Sequence, residues 1–255
     1  MIWFVGAGSG AVDLITVRGQ RLLQDADVII YAGSLVNPEL LQNAKPGAEI
    51  FNSATMTLEE VIQTMVAAEE ARKVTVRLHT GDPSLFGAIR EQMDILKRQG
   101  INYELVPGVS SFSAAAAALG AEYTLPGVSQ TLIITRLAGR TPVPKDESME
   151  KLAEHGASMA LFLSAGMLEE LQEKLMQGAY TSSTPAALVY KASWPDEKVF
   201  HCTVGTLASC GKEHGIDKTA LVLVGNFLGD DYERSLLYDP NFTTGFREGL
   251  GAHEN

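Results

Sequence analysis

The chain has 255 residues, 45% hydrophobic and 20% charged, which is enough for one large or two ordinary domains and too apolar for disorder. Lys and Arg number 20 against 31 Asp and Glu, a formal net charge of −11. That balance excludes a general nucleic-acid binder, which needs a basic face to displace counterions, but it leaves room for anionic small molecules in a local basic cleft.

Taken in chain order, short apolar runs alternate with amphipathic stretches. Ile2–Val5 reads as a buried strand ended by Gly6, with helical periodicity following through Leu14, Val17, Leu22 and Leu23. Val28–Tyr31 is the next strand, Pro38–Asn43 a short helix and Glu49–Phe51 a short strand. Thr57, with Glu60 three residues on, forms a capping box opening a helix whose apolar face includes Leu58, Val61, Ile62, Met65 and Val66. Val74–His79 reads as a strand, Phe86–Arg98 as a helix closed by Gly100, Tyr103–Val106 as a strand, and Ser110–Leu119 as a helix ended by Gly120.

Pro126-Gly127 is a turn signal and a hinge. Beyond it come strand 131–135, a loop over 136–147 carrying Gly139, Pro142 and Pro144, helix 148–155, strand 159–164, helix 167–177 and strands 186–190, 197–204 and 219–225. Lys198–Thr203 reads as antiparallel, after a turn at Trp194-Pro195-Asp196. The fold class is therefore α/β in two domains. An N-terminal domain, 1–122, has a mostly parallel sheet with helices on both faces, and a C-terminal domain, 128–232, has a mixed sheet. A polar tail, 233–255, follows.

Ligands of parallel sheets bind at the carboxyl ends of the strands, so the loops after Val5, His79 and Val106 are the places for chemistry. Gly6-Ala7-Gly8-Ser9-Gly10-Ala11 fits G-x-G-x-x-A, a weak dinucleotide signal. No acid stands at the end of the second strand to hold a ribose, and Asp25 and Asp27 lie at its wrong end. A tight β-to-α turn is the plainer use of these glycines. In His79-Thr80-Gly81-Asp82-Pro83-Ser84-Leu85, Gly81 permits close ligand approach, and Asp82 is either a ligand contact or a helix cap. Ser110 and Ser111, after Pro107-Gly108, invite the same two readings. Arg136 and Arg140 give the 136–147 loop a basic character, fit either for solvent or for carboxylates of a substrate.

Other chemistries are poorly represented. None of the five histidines forms an i, i+4 metal pair, and His79, ending a strand, reads as structural. There is no G-x-S-x-G elbow and no Walker A motif. Cys202 and Cys210 match no zinc or redox spacing, and two cysteines in a chain this long fit a reducing cytoplasm. Neither a targeting segment nor a membrane span is expected. The uncharged run Leu105–Ala121 is broken by Pro107, Gly108, Gly120 and serines.

Four stretches, VGAGSGAVDLITVRGQRLL (5–23), DADVIIYAGSLV (25–36), HTGDPSLFG (79–87) and PGVSSFSAAAAALG (107–120), resemble the tetrapyrrole methylases. These are the class III S-adenosylmethionine (SAM) methyltransferases of cobalamin and siroheme synthesis. TRLAGRTPVP (135–144) and YKASWPDEKV (190–199) resemble the branch acting at C(11) of precorrin-4 or cobalt-precorrin-4. The resemblance implies two α/β domains with a ligand cleft between them, SAM as methyl donor, a tetrapyrrole acceptor and a homodimer; charge, histidine spacing and hydropathy add the expectation of no resident metal and no nucleic-acid or membrane partner. By motif match it places Thr80, Gly81, Asp82, Leu85, Ser110, Ser111, Leu163, Ala192 and Ala220 at SAM positions. It likewise sets Gly8 and Ser9 beside the tetrapyrrole, and Arg136 and Arg140 would neutralise that ring's carboxylates. The family pattern at the first loop is G-A-G-P-G-D-P, and here Ser9, Ala11 and Val12 depart from it. The other readings are a ring methylase of different regiochemistry, a nicotinamide-dependent oxidoreductase using the first glycine loop, and a tetrapyrrole carrier without turnover.

Overall fold

A computed structural model describes residues 1–250, so the last five residues of the expected tail lie outside the described residues. The chain divides into two compact units. The first comprises Met1–Ala115 together with Lys191–Glu197, and the second Ala116–Tyr190 together with Lys198 onward.

The first unit is built on β1 (Ile2–Gly6), β2 (Val28–Tyr31), β3 (Glu49–Asn52), β4 (Thr75–His79) and β5 (Tyr103–Val106), in the order β3-β2-β4-β1-β5. Every pairing is parallel, with Gly6 opposite His79 and Val5 opposite both Leu78 and Val106. The inner strands β1 and β2 are uninterrupted apolar runs because both their faces are covered, whereas the edge strands β3 and β5 carry exposed Glu49 and Glu104. Val5, Ile29, Val76, Leu78 and Val106 pack with Leu23 of α1 (Val17–Asp25) and with Leu40. Ile2, Phe4, Val28 and Ile30 pack on the opposite face with Val61, Ile62 and Met65 of α2 (Leu58–Glu70) and Leu96 of α3 (Arg90–Arg98). The capping box is present: Thr57 N–H donates to Glu60 at 2.7 Å, and Glu60 N–H donates to Thr57 Oγ1 at 3.3 Å. Pro38–Asn43 forms a 3-10 helix capped by Asn37, and α4 spans Ser111–Leu119.

The second unit carries β6 (Leu132–Arg136), β7 (Ser158–Phe162), β8 (Pro185–Tyr190), β9 (Lys198–Thr203) and β10 (Ala220–Val224), in the order β6-β7-β10-β8-β9. β6 and β7 are parallel and the other pairings antiparallel, so this sheet is mixed. Met159, Leu161, Ala186, Leu188, Val222 and Val224 pack against α5 (Met149–Ala153), α6 (Leu168–Met176) and α7 (Leu207–Glu213). Among the described residues, no helix is long and apolar enough to cross a membrane.

Two elements differ from the sequence reading. The helix expected from Phe86 begins at Arg90, because Phe86 (φ 55°) and Ala88 (φ 48°) take the left-handed region and Gly87 is pressed against the Pro83 carbonyl. The seven-residue α7 has no counterpart in the sequence reading: it is short, and Gly211 within it interrupts the helical signal.

Candidate functional site

Strand order brings the loops after β4, β1 and β5 side by side at the carboxyl edge of the parallel sheet. Their backbones are stitched together. Gly8 and Gly81 form an isolated antiparallel bridge, with Gly81 N–H donating to the Gly8 carbonyl at 2.8 Å and Gly8 N–H to that of Gly81 at 3.3 Å. A Cβ on Gly6 would stand 2.6 Å from Gly108 Cα, and one on Gly108 would strike the Gly81 carbonyl. No side chain fits at Gly6 or Gly108, so the loops close on one another there through bare backbone.

Asp82 is not the cap of α3, which starts eight residues later without a side-chain cap. Its Oδ1 accepts from Ser84 N–H at 2.8 Å and from the Ser84 hydroxyl, while Oδ2 accepts from Gly108 N–H at 2.8 Å. Partial burial raises its pKa, but the Ser84 hydroxyl and the N–H groups of Gly108 and Ser84 together hold it below the usual carboxylate value. Thr80 and Leu85 are half-buried beside it. Ser110 is buried just ahead of α4, whose first residue is Ser111.

The first glycine loop does not open a helix. After β1 it passes through a 3-10 turn, Val12–Leu14, and α1 begins at Val17 with Thr16 as its cap. The helix N-terminus that a pyrophosphate requires is therefore missing from the loop, and Asp27 is engaged with Lys45 at 2.6 Å and Val74 N–H at 2.8 Å. The first glycine loop therefore lacks the geometry of a dinucleotide fingerprint. Gly8 needs its positive φ of 82°, and Ser9 is buried.

The turn Lys191–Glu197 belongs to the same unit. Ser193 Oγ lies 2.8 Å from Ser9 Oγ and accepts from Ala11 N–H at 3.1 Å, while Trp194 Nε1 donates to the Ser9 carbonyl at 3.1 Å. Ala192, buried, sits between two left-handed residues, Lys191 (φ 47°) and Ser193 (φ 67°). From the other side Asn37 Nδ2 donates to the Gly10 carbonyl at 2.8 Å.

Behind the β4 loop, buried Arg77 donates to Gln92 Oε1 at 3.2 Å and to the Ile30 carbonyl at 3.1 Å, and Gln92 in turn donates to the Ala88 carbonyl at 2.9 Å. This chain of bonds holds the left-handed Ala88 and the start of α3. Burial lowers the Arg77 pKa to about 10, which leaves it charged at neutral pH. His79, 3% exposed, stacks on Phe4, and its Nε2 has no partner. Burial, reinforced by Arg77, drives its pKa down to about 3, so it is a neutral packing residue.

In the second unit, Leu163 follows β7 in the left-handed region (φ 51°) and is 63% exposed. Its side chain stands clear of the core of the unit. It is fixed by its neighbour Ser164, fully buried, whose hydroxyl donates to the Phe162 carbonyl and accepts from Leu137 N–H. Ala220 begins β10, next to left-handed Thr219 (φ 56°). Arg136 donates to the carbonyls of Leu137, Thr141 and Pro142 at 3.3, 3.2 and 2.7 Å, folding its own loop, whereas Arg140 is exposed on that loop.

Sequence reasoning missed Asn37, Arg77, Gln92, Ser193 and Trp194. Their roles come from partners up to 185 residues away, as for Trp194 and Ser9, and no local pattern encodes such contacts.

These features define a two-unit α/β protein whose candidate site is made of backbone edges and small residues instead of a titrating constellation. The chain belongs to the tetrapyrrole (corrin/porphyrin) methylase family, whose model matches residues 1–208. It is 52% identical over 245 residues to a cobalt-precorrin-4 C(11)-methyltransferase of Methanocaldococcus jannaschii, covering 96% of this chain and 95% of that protein. The X-ray structure of a cobalamin biosynthetic enzyme, cobalt precorrin-4 methyltransferase, matches with TM-score 0.88 at 47% identity, covering 90% of this chain and 96% of that one. The structure of uroporphyrin-III C-methyltransferase from Thermus thermophilus complexed with S-adenyl homocysteine matches with TM-score 0.75 at 26% identity, covering 89% and 98%.

Proposed function

We propose that this chain transfers the methyl group of SAM to C(11) of precorrin-4 or cobalt-precorrin-4, a step of cobalamin biosynthesis. The observation that carries the reading is likeness over nearly the whole chain to a C(11)-methyltransferase at 52% identity. When bound, SAM supplies a methyl group already activated on a sulfonium. The chain's task is then alignment, and effective molarities of roughly 10⁵–10⁸ M show how much of a rate orientation alone can deliver. A wall of glycine backbone suits that task, because it brings N–H and C=O groups close to a ligand at fixed positions.

In this reading Thr80, Gly81, Asp82, Leu85, Ser110, Ser111 and Ala192 contact SAM, and Leu163 and Ala220 carry the same assignment. Gly8 and Ser9 border the tetrapyrrole. Of the two arginines, Arg140 meets substrate carboxylates directly, and Arg136 shapes the loop that presents it. The working form is a homodimer. Exposed apolar side chains on the second unit, among them Leu236, Leu237, Tyr238 and Phe246, are surface that association would cover, and sedimentation tests this.

Calorimetric titration separates the methyl-donor reading from a nicotinamide one. S-adenosylhomocysteine should bind saturably and NAD should not. Binding of NAD with no binding of S-adenosylhomocysteine would overturn the proposal.

A further inference from the structure

We propose that the turn Lys191–Glu197 is a latch on the first glycine loop, and that Ser193 and Trp194 are positioning residues for methyl transfer. The inference rests on the methyltransferase reading and deepens it. Two consecutive side chains of the turn engage three consecutive residues of the loop. The Ser193 hydroxyl pairs with that of Ser9 at 2.8 Å and accepts from Ala11 N–H at 3.1 Å. Trp194 donates from Nε1 to the Ser9 carbonyl at 3.1 Å, and its indole lies so close over Gly10 that a Cβ there would enter the ring. Gly10 is thus a glycine because of Trp194.

The latch is braced from within. Lys191 Nζ bonds Asp196 Oδ2 at 2.7 Å and sits 5.4 Å from the centre of the Trp194 ring. Glu197 Oε2 accepts from Ser193 N–H at 2.5 Å, and Trp194 N–H donates to the Lys191 carbonyl at 2.9 Å. Lys191 and Ser193 are both left-handed without being glycine, a strained arrangement that persists only where surrounding contacts enforce it. Ala192, assigned to SAM, lies between them, and Gly8 and Ser9, assigned to the acceptor, lie on the loop being held. One short turn therefore fixes a donor-contacting residue against the acceptor-contacting loop. Neither Ser193 nor Trp194 needs to touch a reacting atom to set the distance between them.

The test compares wild type, Trp194→Phe, which keeps a ring but loses the donor, and Ser193→Ala, which loses the shared hydroxyl. In each, kcat and KM for cobalt-precorrin-4, the Kd for S-adenosylhomocysteine and the unfolding midpoint are measured. Displacing reacting groups by a fraction of an ångström lowers kcat by about ten- to a hundredfold, while donor affinity and the midpoint fall far less. Wild-type kcat in both variants would overturn the latch, as would a fall in kcat matched by an equal loss of donor binding or of folded protein in both. Absence of methyl transfer by the wild-type chain would instead sink the methyltransferase reading on which the latch rests.

Discussion

His79 offers a quantitative test of how the core behind the site is built. Its imidazole is 3% exposed, stacked on Phe4 with ring centres 6.1 Å apart, and lacks a partner at Nε2. Burial first, and the charge of Arg77 second, lower its pKa from 6.5 to about 3. Between these values the unfolded chain takes up a proton that the folded chain refuses. The stability tied to neutral His79 is therefore complete above about pH 6.5 and is lost as pH falls toward the folded value. At about pH 4.5 the gap is roughly 2 pH units, equivalent to about 3 kcal/mol. His79→Phe keeps a ring against Phe4 and cannot titrate. Urea unfolding followed by tryptophan fluorescence reports on this unit, since Trp3 and Trp194 both belong to it. Between about pH 7.5 and 4.5 the wild type should lose about 3 kcal/mol more than the variant. An equal loss in both proteins would refute the reasoning, whatever the variant's stability at neutral pH.

Gly108→Ala drives a methyl group onto the Gly81 carbonyl, so it should cost about 1–3 kcal/mol of stability and weaken S-adenosylhomocysteine binding at least about tenfold by calorimetry. Asp82→Asn removes the charge that accepts from Gly108 and Ser84, and solvent screening discounts the cost to about 1 kcal/mol. Because the carboxyl is held below its usual pKa, that difference should be complete at neutral pH and vanish as acid protonates the folded wild type, which unfolding curves at several pH values would show. Arg140→Ala should raise KM for the tetrapyrrole in a salt-sensitive way without moving the unfolding midpoint. Arg136→Ala should also lower the midpoint, since its guanidinium holds three carbonyls of its own loop.

What could be read from the sequence was what short-range physics writes there. Val28–Tyr31 announces a doubly covered strand because every residue in it is apolar, and Thr57 with Glu60 announces a helix start through two reciprocal bonds. The three glycine-bearing loops were readable as neighbours, since parallel topology places them at a common edge. What they do for one another was not readable. Asp82 looked like a cap until its second oxygen met Gly108 N–H, 26 residues on. Trp194-Pro195-Asp196 looked like a turn, and it is one, but nothing nearby in the chain says that its indole covers Gly10. Left-handed Phe86 and Ala88 are equally silent, because bulky or branchless side chains give no local sign of positive φ, and the Arg77–Gln92 brace that reaches the Ala88 carbonyl spans separate elements.

The most direct measurement is incubation of the chain with methyl-labelled SAM and cobalt-precorrin-4, followed by NMR of the product. A single new labelled methyl on C(11) is the predicted result. Label on another ring carbon, or none despite saturating donor, would contradict it.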